Sequence, residues 1–170
     1  MPDRRPEAVG AHGGSVDLTV LRPMGRSRKG AGVGRSELAG KDYISTADWS
    51  LDELGMALDA ARELKSEFRA GKPHRLLSDK TLFMIFLDLS TRTRNAFEAG
   101  MTQLGGHAHF IDANTSQIAH GESPRDMGII LSSYGHGIAI RHDKVPGEGN
   151  PYMRAVAEAA SAPVINLQCD

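Results

Sequence analysis

From Lys80 onward the chain alternates short apolar runs with amphipathic segments, and that alternation constrains its fold more than any other feature. The runs are Thr81–Leu87, His107–Ile111, Gly137–Ile140 and Pro163–Leu167. Each is too short for a buried helix and has turn-forming or capping residues nearby. Between them lie helical patterns over Arg92–Leu104, from Pro124 to Tyr134 and, after the Gly/Pro loop Asp143–Asn150, over Pro151–Ala160. Phe97, Met101 and Leu104 share the inner face of the first. Ser123-Pro124 caps and starts the second, with Met127, Ile130, Leu131 and Tyr134 expected inside, and a third helix spans Pro151–Ala160. Continuous apolar strands separated by helices predict an α/β fold: a parallel four-stranded sheet with helices on both faces.

Such a sheet binds ligands outside the carboxyl ends of its strands. Here those ends carry Asp88–Arg94, Asp112–Gln117, Arg141-His142 and Gln168-Cys169-Asp170. The densest is Ser90-Thr91-Arg92-Thr93-Arg94, where an apolar strand turns into a helix. Backbone N–H groups at a helix start have no helical acceptor, and the helix dipole is positive there. With hydroxyls and guanidiniums added, the turn predicts a pocket for a small dianion such as phosphate. Topology brings Arg92, Arg141 and the loop around Thr115 toward the same crevice.

The rest of the chain narrows the function by exclusion. Net charge is −1, so no overall field favours nucleic acid or an anionic membrane. No apolar run is long enough to span a bilayer. Cys169 is the single cysteine, which leaves no internal disulfide and fits a reducing, cytoplasmic setting. His107 and His109 share one strand face, but no third ligand completes a metal site, so no metal is expected. Residues 1–35 hold seven glycines and seven Lys/Arg against three Asp/Glu, with no aromatic residue. They read as a disordered basic leader, with a partner-docking arm as the alternative. Residues 36–170 form the expected domain. Its first helix opens on the capping box Ser50–Glu53 and places Leu54, Leu58, Ala61, Leu64 and Phe68 on one face, until Gly71 and Pro73 end it.

Three blocks in this order, Ser90–Arg94, Ala113–Ser123 and Ile138–His142, resemble the carbamoyl-phosphate-binding half of the aspartate/ornithine carbamoyltransferases. The resemblance covers Leu38 to Asp170. It implies transfer of a carbamoyl group from carbamoyl phosphate to an amino-acid amine, with no cofactor. By resemblance Ser90, Thr91, Arg92 and Thr93 bind the phosphate, and Arg92 stabilises it as it leaves. Arg141 reaches the carbonyl side, while Arg94 matches a structural position. Ser116 and His120 would reach into the active site of a neighbouring subunit, which implies a homotrimer. His120, within Ser-Gln-Ile-x-His-x-Glu-Ser, resembles the ornithine branch, since the aspartate branch carries lysine there. Gly147–Arg154 and Asn166–Asp170 look more like a knotted transcarbamylase branch, so an acceptor other than ornithine stays open.

In the family a His-Pro-x-Gln segment and a second, acceptor-holding domain follow the equivalent of Asp170. The acceptor site is therefore not expected to be complete in this chain. Two further readings are a non-catalytic carbamoyl-phosphate-binding module and an unrelated phosphate-recognising α/β protein, such as a sugar-phosphate isomerase domain.

Overall fold

The computed structural model describes residues 38–169. The basic leader expected over residues 1–35 lies outside them. Four parallel strands form the sheet: β1 (Thr81–Phe86), β2 (His107–Asp112), β3 (Gly137–Arg141) and β4 (Val164–Asn166), in the order β2-β1-β3-β4. All four strands match the apolar runs read from the sequence, with no end shifted by more than one residue. Tyr43 extends the β4 edge: its N–H donates to the Val164 carbonyl at 2.8 Å, and its carbonyl accepts from the Asn166 N–H at 2.8 Å.

Side chains alternate across β1 and so divide the core in two. Ile85, with Ile138 and Ile140 of β3, packs beneath helices α3 (Pro124–Tyr134) and α4 (Gly149–Ala159), against Met127, Leu131, Met153 and Val156. Leu82, Met84 and Phe86 face the other way, toward Met101 and Phe97 of α2 (Arg92–Gln103). Both sheet faces are thus covered by helices, as the uninterrupted apolar strands require. The α2 side is covered only in part. An apolar groove of about 980 Å³ runs between Phe97, Met101 and Leu104 and the amino ends of β1, β3 and β4.

Helix α1 (Leu51–Arg69) has the expected start. The Ser50 Oγ accepts from the Glu53 N–H, and Glu53 Oε2 accepts from the Ser50 N–H at 2.7 Å. Lys41 bonds the same carboxylate. That hydrogen bond, with the one from the Ser50 N–H, pulls the Glu53 carboxyl down to about 2. The apolar face of α1 departs from expectation. No α1 residue is buried, and Leu58 and Phe68 are 58% and 55% exposed, because no other described helix or strand packs along this face.

Helix α3 corrects a second expectation. Met127 and Leu131 are buried, but Ile130 and Tyr134 are 41% and 73% exposed. Close approach of α4 at Gly128 centres the buried arc between Gly128 and Leu131, which leaves Ile130 on the flank and Tyr134 at the exposed end. The polar stretch after β2, read as a plain loop, contains two 3-10 turns, Ala113–Thr115 and Gln117–His120. Asp112 Oδ1 initiates the first by accepting from the Asn114 N–H at 2.8 Å.

Candidate anion site at the strand ends

Register places the candidate residues on one level. Phe86, the last residue of β1, pairs with Asp112 on one side and Arg141 on the other. The next N–H, of Leu87, donates to the Arg141 carbonyl at 3.0 Å. Arg141 therefore lies directly beside the β1–α2 turn that carries Ser90 to Arg94. Arg92 and Arg141 share the carboxyl edge of the sheet, where ligands of open α/β sheets bind.

The turn itself keeps donors available. Thr91 is the N-cap of α2, but its side chain makes no capping hydrogen bond. Asn95 N–H and Asn95 Nδ2 donate to the Thr91 carbonyl at 3.2 and 2.7 Å. Ser90 Oγ accepts from the Arg94 N–H at 3.3 Å. The N–H groups of Arg92 and Thr93 begin the helix and have no helical acceptor. Arg92 is exposed and Thr93 half-buried. Among the described residues Arg92 forms no ion pair.

Arg94 does not join them. Its guanidinium carbon lies 3.5 Å from the Phe110 ring centroid, and its Nε donates to Glu98 Oε1 at 3.2 Å. The expectation that two guanidiniums converge on one anion is thus corrected: the helix-and-β2 surface takes the second. The sequence hinted at this, since Arg94 and Glu98 stand four residues apart on one helix face.

Arg141 is largely buried and held by a residue that sequence reasoning missed. Its Nε and Nη2 both donate to Asp143 Oδ2, at 3.0 and 2.6 Å. Behind it, His142 is 6% exposed and stacks edge-on against Tyr152, with ring centroids 5.4 Å apart. Burial, then the nearby Glu122 charge, pushes the Tyr152 phenol up to about 12. The Cys169 thiol accepts from the His142 N–H at 3.0 Å and donates to the Ile140 carbonyl at 3.4 Å, so it serves the backbone.

Ser116 and His120 bond within their own loop. Ser116 Oγ donates to the Ala113 carbonyl at 3.1 Å, and exposed His120 has Nδ1 3.3 Å from Gln117 Oε1. Among the described residues, neither forms a hydrogen bond or ion pair with Arg92 or Arg141. His107 and His109 sit on β2, where His109 meets the Phe83 ring edge-on at 5.5 Å.

The family description "Aspartate/ornithine carbamoyltransferase, carbamoyl-P binding domain" matches residues 41–170. The chain belongs to the aspartate/ornithine carbamoyltransferase family. An ornithine carbamoyltransferase of Syntrophotalea carbinolica is 42% identical over 126 residues, covering 74% of this chain and 40% of that protein. The solved ornithine carbamoyltransferase of Pyrococcus furiosus superposes with a TM-score of 0.69 at 40% identity, over 76% of this chain and 40% of that one. Aspartate transcarbamoylase from Trypanosoma cruzi, solved in complex with carbamoyl phosphate, superposes with a TM-score of 0.66 at 26% identity, over 76% of this chain and 40% of that one. This carbamoyltransferase-family chain spans about two fifths of the length of the curated relatives it matches. What it contains is the carbamoyl-phosphate-binding domain fold, with Arg92 and Arg141 on one edge.

Proposed function

We propose that residues 36–170 are the carbamoyl-phosphate-binding domain of a cytoplasmic carbamoyltransferase whose acceptor is the side-chain amine of ornithine. One observation carries this reading. The Phe86–Arg141 pairing sets a half-buried arginine beside a hydroxyl-rich helix start that bears a second arginine with no ion pair among the described residues.

The chemistry follows from those groups. Ser90, Thr91, Thr93 and the first N–H groups of α2 hold the phosphate dianion, with Arg92 as the matching charge. Arg141 donates to the carbonyl oxygen. The acceptor amine attacks the carbonyl carbon, and negative charge builds on that oxygen, where Arg141 meets it. When the intermediate collapses, the bond from carbon to the bridging oxygen breaks, and both of its electrons leave with phosphate. Arg92 stabilises that departing charge, and the proton lost by the amine passes to the departing phosphate, which leaves as the hydrogen-phosphate dianion. Ser116 and exposed His120, on the loop after β2, would serve the active site of the next subunit in a homotrimer. The Ser-Gln-Ile-x-His pattern and the ornithine carbamoyltransferase relatives both support ornithine as the acceptor.

The test is binding followed by turnover. Carbamoyl phosphate should compete with inorganic phosphate for the 170-residue chain, and sugar phosphates should compete poorly. Together with an acceptor-binding domain, the chain should form citrulline from carbamoyl phosphate and ornithine. Indifference to carbamoyl phosphate would remove the reading altogether. Binding without citrulline, with another amine accepted, would keep the domain assignment and change the acceptor. Binding with no acceptor at all would favour a binding module.

A further inference from the structure

The loop between β2 and α3 is a short hydrogen-bonded unit. Ser116 closes its first 3-10 turn and opens the second, and Ser116 Oγ donates to the Ala113 carbonyl. At the far end Gly121 takes the left-handed conformation at φ 89°, and its N–H donates to the Ile118 carbonyl at 3.0 Å. The Glu122 N–H donates to the Gln117 carbonyl at 3.1 Å. Between Ser116 and Gly121 a single large apolar side chain interrupts the polar run. Gln117, Ala119, His120 and Gly121 are exposed, whereas Ile118 is half-buried and packs against the core beneath α3 and α4. The polar side chains on either side of it bond one another at the surface, with Gln117 Oε1 and His120 Nδ1 3.3 Å apart.

We propose that Ile118 is a positioning residue: its side chain pins the loop to the core and so sets where Ser116 and His120 stand toward the anion site of the next subunit. This rests on the reading above, in which that loop serves a neighbouring copy of the chain. The physical argument sets ordering against burial. A polar loop has little apolar surface of its own to offset the conformational entropy lost when it is held in one place. Its internal hydrogen bonds replace bonds to water and contribute little net. They fix the shape of the loop but not its position on the domain. Burial of the Ile118 side chain supplies the missing term, and it does so from within the turn that carries the outward-facing groups. Groups that serve a ligand must stand within about 0.5 Å of their productive places. A pin one residue from Gln117 and two from His120 holds them there. Without it the loop would become ordered only when ligand binds, and affinity would fall by the cost of that ordering.

The experiment compares the 170-residue chain with Ile118→Ala, by amide hydrogen exchange and by titration with phosphonoacetamide, a stable stand-in for carbamoyl phosphate. In the variant the Gly121 and Glu122 amides should lose protection, while those of β1 and β3 exchange as in the parent. Phosphonoacetamide should bind about tenfold more weakly. Ile118→Leu keeps the apolar bulk and should restore most of the affinity. Action across the subunit boundary gives a readout that simple damage would not. Ile118→Ala and Arg92→Ala refolded together should bind more tightly than either alone, because the intact pocket of one then meets the intact loop of the other. Should Ile118→Ala fail to fold, Ile118→Val takes its place with a smaller shift in the same direction. Unchanged protection at Gly121 and Glu122, unchanged affinity, or no recovery on mixing overturns the positioning role while the anion site stands. Failure of the parent chain to bind phosphonoacetamide overturns the carbamoyl-phosphate reading as well.

Discussion

Gly128 of α3 and Val156 of α4 meet with no space for a side chain between them: a Cβ on Gly128 would lie 2.5 Å from the Val156 carbonyl oxygen. The obstacle is backbone, so it cannot yield by changing a rotamer. Gly128→Ala must push the two helices apart over Met127, Leu131 and Met153, against a core packed to crystal-like density. The expected cost is about 1–3 kcal/mol, read as a lower urea midpoint. A midpoint equal to that of the parent chain would contradict the close approach.

Arg92 and Arg94 are two residues apart yet should respond in opposite ways. Arg92→Ala removes the exposed guanidinium assigned to the departing phosphate. On the proposed function it should lower kcat/KM by about 2.7–4 kcal/mol of transition-state stabilisation, with an unchanged melting temperature. Steady-state kinetics and a thermal melt on the same preparation decide it. A melting loss with normal kinetics would refute the role.

Arg94→Met should do the reverse. It leaves the phosphate donors intact but removes the cation over Phe110 and the ion pair with Glu98. The cation–ring contact is worth about 0.5–1 kcal/mol where partly exposed, and the helix pair a few tenths more. Denaturant unfolding should register that loss, while phosphate titration should stay level. A weakened phosphate affinity in Arg94→Met would put this arginine back in the anion site.

Tyr152 sets an alkaline limit. Its phenol is pushed up to about 12 from an ordinary 10, so the folded state holds this proton where the unfolded chain releases it. The resulting stability is fully present below pH 10 and is lost as the pH rises through 12. Tyr152→Phe should flatten stability across that window. Near neutral pH it should be neutral or slightly stabilising, because the hydroxyl is buried without a hydrogen-bond partner. Unfolding curves at several alkaline pH values, with phenolate absorbance followed alongside, test both halves. Parallel decline of the parent and the variant would place the titration elsewhere.

Sequence reasoning succeeded where one physical signal dominated. The run Thr81–Leu87 had to be a strand covered on both faces, and Met84, Ile85 and Phe86 are all essentially inaccessible. Ser50 and Glu53 declared a helix start through chemistry local to four residues, which no tertiary contact had to complete. Periodicity failed where partners decide burial. Leu58 and Phe68 repeat as a core face should, but nothing described covers them. Ile130 and Tyr134 are apolar at helical spacing, and a single glycine contact from α4 shifted the buried arc away from them. In the site, the cluster at Ser90–Arg94 and the strand-end arginine were readable because composition and position agreed. Asp143 was not, since an aspartate two residues beyond an arginine is common, and only geometry distinguishes a clamp from a loop residue.

The shared rung of Asp112, Phe86 and Arg141 makes this design sensitive to the gain or loss of a single codon. Adding or deleting one residue inside β1 or β3 would rotate the terminal side chain to the opposite face. The lineage can therefore explore new lengths in the connections above the sheet, but not within its central strands. Insertions among relatives should cluster in those connections, and the distance along β3 from Gly137 to Arg141 should be preserved even where every side chain between them has changed.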